Sequence, residues 1–204
     1  MLKACNYAEC MKDYNRYREL NLLVRLAPTL LGEKPLHIFC FNENFPFLKQ
    51  ALNDLTQLFN AHPKIKLRTV LSENRSIKAI VYHVPAAERV LSDHRNRKFL
   101  ISRGYAANLN TVDYMEFLAD SLKKNRIPDE YGLFFGYPLK DVMGFIGHPS
   151  LKHVKTLSWK VYGNPKTSEE IFSRYQQAEE RILSLIHKKT KKEVDSEIRS
   201  LLSA

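Results

Sequence analysis

Two runs of strand-forming residues, Ile65 to Leu71 and Ile77 to Val84, stand only five residues apart, and this pair constrains the fold more than any other feature. In the first run Ile65, Leu67, Thr69 and Leu71 alternate with Lys64, Lys66 and Arg68, the period of a strand with one buried face. The second run is rich in β-branched residues and carries little charge. The polar connection Ser72-Glu73-Asn74-Arg75-Ser76 suits an antiparallel hairpin. A sheet containing that hairpin is not wholly parallel.

Helical and strand periods alternate along the rest of the chain. From about Asp13, residues Tyr14, Tyr17, Leu20, Leu23, Val24 and Ala27 keep a helical spacing until Pro28. Gly32 and Pro35 frame a turn into a short buried strand, Leu36 to Phe41. Pro46 opens a helix whose apolar stripe is Phe47, Leu48, Ala51, Leu52, Leu55, Leu58 and Phe59. Pro85 opens another helix through Leu91, and Thr111 caps a third with Val112, Met115, Leu118, Ala119 and Leu122 on one face. Tyr131 to Phe135 reads as a strand that runs through Gly136-Tyr137-Pro138 into a helix ending near Gly144 or Gly147. Leu157, Trp159 and Val161 alternate with Ser158, Lys160 and Tyr162 in a last strand. Thr167 and Glu170 form a capping box for a helix bearing Ile171, Tyr175, Ala178, Ile182 and Leu185. After the basic run Lys188 to Lys192, a second amphipathic piece (Val194, Ile198, Leu201, Leu202) closes the sequence.

The expected fold class is therefore α/β: a single mixed β-sheet of about five strands, one antiparallel hairpin included, covered by about seven helices. Residues 1–204 read as one domain, with the helical segment 167–203 packing on it. The 44% hydrophobic and 26% charged content excludes a disordered or fibrous chain. No run approaches the ~18 apolar residues of a membrane span. Met1 to Asn6 lacks a signal-like apolar stretch, so the expected location is the cytoplasm, away from any membrane.

Cys5, Cys10 and Cys40 do not make a disulfide framework or a C-x-x-C pair, and Cys40 reads as a small buried hydrophobe in the run His37 to Phe41. The histidines are no more informative. His148 and His153 are five apart, the other five are scattered, and no metal-ligand spacing results. The formal charge of +10 attracts polyanions, but its excess is spread, six in residues 1–147 and four in 148–204.

The segment Ile127 to Gly147 holds four of the seven glycines and is the main candidate site. A strand turning through Gly136 into a helix opened by Pro138 exposes backbone N–H groups to an anion, although the same residues also suffice for a plain tight turn. Glu130 and Asp141 flank the glycines and are candidate acid or base groups. Trp159 alternates with core residues, which leaves Lys160 and Tyr162 on the opposite face to meet a ligand. The candidate ligand residues are thus Glu130, Gly136, Tyr137, Pro138, Asp141, Lys160 and Tyr162. A second candidate surface is basic: Arg89, Arg95, Arg97, Lys98 and Arg103, with Phe99 and Tyr105 nearby, as nucleic acid binding uses. No helix-turn-helix, zinc finger or RNP signature accompanies it.

Three stretches in order, Ala27 to Pro35, Ile127 to Gly147 and Trp159 to Gly163, resemble a family of uncharacterised bacterial proteins, domain of unknown function 3793. The likeness spans nearly the whole chain and implies a shared fold with no assigned activity. Members commonly have a cysteine where this chain has Leu26 and a histidine where it has Asp129, so chemistry resting on those two groups is not expected here. The leading expectation is a cytosolic module for a small anionic ligand, a nucleotide or phosphate-bearing cofactor. Nucleic acid binding is the alternative, and an enzyme with a carboxylate acid or base ranks third. The amphipathic C-terminal helices also offer a homodimer contact, though covering the sheet is their simpler use.

Overall fold

The computed structural model describes residues 22–42, 48–59 and 62–188, with 190, 193, 194, 196–198 and 200 beyond them. The first part of the helix expected from Asp13, the cysteines Cys5 and Cys10, and Leu201 and Leu202 lie outside the described residues.

The expected hairpin forms. Strands β1 (Leu36–Phe41), β2 (Ile65–Leu71) and β3 (Ile77–His83) make a sheet in the order β1-β3-β2, with both pairings antiparallel. The turn is closed by Ser72 N–H on the Ser76 carbonyl at 2.9 Å, while the Asn74 side chain accepts from Ser76 N–H.

The central strand β3 is buried on both faces, which is why its sequence bears so little charge. Ala79 and Val81 share one face with Phe39, Phe41 and Ile65. That face is covered by helix α1 (residues 22–30), by Leu55 and Phe59 of α2 (Leu48–Phe59), and by Ala178, Ile182 and Ile186 of the long helix α7 (Lys166–Lys188). Val194 and Ile198 continue the same core, as their helical spacing predicts. Ile80, Leu36 and Val70 point the other way. They pack against α3 (Val84–Ser92), α4 (His94–Ser102), α5 (Thr111–Lys123) and α6 (Leu139–Ile146). Helices on both faces of a sheet give a three-layer arrangement with two cores.

The single five-stranded mixed sheet does not form. Two further strands, β4 (His153–Thr156) and β5 (Lys160–Tyr162), make a separate antiparallel pair. Leu157 to Trp159 is the bend between them rather than strand, closed by Leu157 N–H on the Trp159 carbonyl at 2.9 Å.

Tyr131 to Phe135 is not a strand either. Asp129–Gly132 is a 3₁₀ turn, and helical bonds run on from Phe135 N–H to the Tyr131 carbonyl and from Tyr137 N–H to that of Gly132. Residues 130, 131, 133 and 134 are buried, the spacing of a helical face, and a short apolar run bounded by proline and glycine is ambiguous between the two periods. Pro138 is accordingly the residue before α6 and not its first. Asn110, with Asp113 in a capping box, caps α5 in place of Thr111. Cys40 is exposed, because β1 places it on the face opposite Phe39 and Phe41, at the end of the sheet.

Candidate functional site

Asp141 is the organising residue of the 127–147 segment. It lies in the first turn of α6 with 2% of its surface exposed, yet it carries a carboxylate, so its oxygens need partners. Four donors converge on them. Oδ1 accepts from Lys140 Nζ at 2.6 Å and from Tyr162 N–H at 2.8 Å, and Oδ2 from Trp159 Nε1 at 2.8 Å and Ser168 Oγ at 2.7 Å. Lys140 Nζ also donates to the Tyr162 carbonyl at 2.9 Å and to Ser168 Oγ at 2.7 Å. The cluster pins α6, β5 and the first turn of α7 together. Both carboxylate oxygens are occupied, an arrangement that suits an anchor more than a proton shuttle.

Beside this anchor runs an apolar groove of about 380 Å³. The Trp159 indole, its N–H held by Asp141, stacks on Tyr137 with ring centres 4.7 Å apart and planes 18° from parallel. Phe135 and Val142 line the groove, and Ile127 and Phe145 flank it with 52% and 51% of their surfaces exposed. Lys160 stands at the rim, its ammonium 5.7 Å from the centre of the Phe145 ring. Asp129 lines the same groove.

Of the residues expected to bind a ligand, Tyr137, Asp141 and Lys160 therefore meet at one groove. The others do other work. Glu130 is buried away from it, accepting from the Tyr105 hydroxyl at 3.2 Å with the Arg103 guanidinium 3.7 Å off. Burial raises the Tyr105 phenol well above its usual range. Gly136 has φ +80°, and a Cβ there would lie 2.7 Å from Pro35 Cδ and crowd the Tyr175 hydroxyl, so protein fills the space an anion would need. Pro138 supplies the carbonyl that caps Asp141 and Val142 N–H.

Tyr162 packs against Gly144, where an added Cβ would overlap its ring. Were that space open, Gly144→Ala would stabilise α6 by about 1 kcal/mol. We expect a loss of about 1–3 kcal/mol instead, read as a lower urea midpoint, because α6 and β5 cannot separate without breaking the Asp141 cluster.

Each arginine of the basic stretch has a protein partner of its own. Arg89 donates to the Gly32 carbonyl at 2.9 Å, Arg97 to the Ala107 carbonyl at 2.5 Å, Arg95 lies 3.7 Å from Asp93, and Arg103 faces Glu130. Lys98 is exposed. A cation the sequence reading passed over is Lys34, whose ammonium sits 5.8 Å from the ring centres of both Phe135 and Tyr175. Burial lowers its pKa to about 8, against the pull of Glu179 in the opposite direction.

Residues 22–194 match the family model described as Protein of unknown function (DUF3793). The chain belongs to that family. Neither the curated proteins nor the solved structures contain a match. The DUF3793 match takes in the whole Asp141 cluster, the groove and the Ala27–Pro35 stretch, so these features lie inside the family's domain and not in an appendage. No helix among the described residues is long and apolar enough to cross a membrane.

Proposed function

We propose that this DUF3793 chain is a binding module for a small, flat, ring-bearing molecule with one acidic substituent, held in the groove beside Asp141. The observation that carries this reading is the groove itself: two exposed apolar flanks, an aromatic stack as wall and a single lysine at the rim. Its volume is in the range of small-molecule sites, and such sites combine a mostly apolar lining with a few placed polar groups. The ring of a nucleotide or cofactor would suit the stack. A polyphosphate chain would not, since Asp129 shares the lining with Lys160 and Asp141 lies beneath.

The chain has one tryptophan and it lines this groove, so its fluorescence reports occupancy directly. Anilinonaphthalene sulfonate, an aromatic body with one anionic group, is a fitting probe. Titration should give saturable quenching of Trp159 at one site, weakened about tenfold by Lys160→Glu. An unsaturable response, or equal affinity in the variant, would sink the reading. Native mass spectrometry of gently purified protein, set against its denatured mass, then seeks the physiological occupant.

A further inference from the structure

A second concave surface is separate from the groove: the two share no lining residue. This cleft has a volume of about 930 Å³ and is mostly polar. Four cationic side chains line it, and each comes from a different part of the sequence or a different turn of helix: Lys64 before β2, Arg89 from α3, and Arg174 and Arg181 two turns apart on α7. His83, which ends β3 and caps α3, is in the same wall. The one carboxylate lining the cleft is Glu33, and Arg174 already engages it at 3.2 Å.

That leaves Lys64, Arg89 and Arg181 uncompensated by any acidic lining residue. The three come from separate elements and not from one helix face. Arg89 is oriented by its bond to the Gly32 carbonyl, a neutral acceptor that fixes the guanidinium without neutralising it. Neither Lys64 nor Arg181 has a carboxylate within ion-pair distance among the described residues. His83 Nδ1 accepts from Ala86 N–H at 3.1 Å, so the neutral ring carries its proton on Nε2 and adds an uncharged donor. The same imidazole reports the local field: burial lowers its pKa, and Lys64 and Arg89 lower it further.

We infer that this cleft is a site for a small multivalent anion of the phosphate-ester or polyphosphate class. Converging guanidinium and ammonium groups from separate elements, held in a concavity, are the means by which proteins select several phosphate oxygens at once over a single carboxylate. The site is independent of the groove, whose aromatic stack and single lysine suit a flat ring with one acidic substituent and not a polyphosphate.

The test is calorimetric titration of the full chain with inorganic pyrophosphate at low salt. Saturable 1:1 binding is expected. Lys64→Ala combined with Arg181→Ala should weaken it at least tenfold, whereas Lys98→Ala and Lys152→Ala, at exposed positions outside the cleft, should leave it within about twofold. Arg181 is exposed, so Arg181→Glu alone, at least fivefold weaker with an unchanged melting temperature, guards against a folding defect in the double variant. No saturable heat, or equal losses in all four variants as a diffuse positive field would give, overturns the proposal. So does tight binding of a single-stranded oligonucleotide without saturable pyrophosphate binding. The groove reading stands or falls separately, on Lys160→Glu and the dye.

Discussion

Asp141→Ala should destabilise the protein by about 3–5 kcal/mol, the cost of removing one partner from a buried, hydrogen-bonded charge pair. For a chain of this size that is a fall of roughly 10 °C in melting temperature. The reason is the number of groups left behind. Lys140 keeps only the Tyr162 carbonyl and Ser168 Oγ for a side chain that is 25% exposed, and the Trp159 Nε1–H and Tyr162 N–H lose their acceptor. An orphaned buried donor costs about 1–3 kcal/mol by itself. Asp141→Asn keeps the volume and one acceptor oxygen, so it should fall between the two. Thermal denaturation followed by near-ultraviolet circular dichroism separates them, and a loss below about 1 kcal/mol for the alanine variant would show that the carboxylate is not an anchor.

The same substitution reaches the groove. Trp159 is held at one edge by Asp141 and stacked on its face by Tyr137. Its ring can form a groove wall because its polar edge is satisfied on the inner side, which is how an aromatic residue serves core and surface together. Alternation placed this residue towards the core, correctly, since it is 7% exposed. What alternation does not convey is that a buried residue can line a depression. The carboxylate that fixes it comes from 18 positions earlier, and the Ser168 hydroxyl from 27 positions after Asp141. No local period records such distances.

Local period did record most of the three-stranded sheet. Leu36–Phe41 and Ile65–Leu71 form strands at the bounds their residues suggest, and the hairpin between β2 and β3 closes through its polar turn. These segments carry their own signal: β-branched or alternating residues with turn formers on either side. Tyr131 to Phe135 does not. Its aromatics would serve a strand equally well, and the decision for a helical turn rests on Asp129 and Glu130 following Pro128 and on a core that accepts residues 131, 133 and 134 from one side. The cationic cleft was hidden for a related reason. Charge counted along the chain points to 89–103, where the arginines have separate partners, while Lys64, Arg89 and Arg181 are far apart in sequence and line one cleft.

His37 should give the protein a steep acid limit. Its imidazole lies on the core face of β1 beside Phe39, with ring centres 4.5 Å apart, and burial together with the positive charges of Lys34 and Arg25 pulls its pKa from 6.5 to about 3. Between those values the unfolded chain binds a proton that the folded chain refuses. Stability contributed by the neutral ring is thus whole above pH 6.5 and is lost as pH falls towards 3. The slope approaches 1.4 kcal/mol per pH unit, or about 2 kcal/mol between pH 6.5 and 4.5. Carboxylates that protonate below pH 5 add their own acid sensitivity, but they do so in any variant that keeps them. His37→Gln has no proton to refuse, so its stability curve should be flatter than the wild type's by that same 2 kcal/mol. Urea denaturation at half-unit steps reads the difference, and two curves that stay parallel from pH 6.5 to 4.5 would mean that the buried imidazole accepts its proton without resistance.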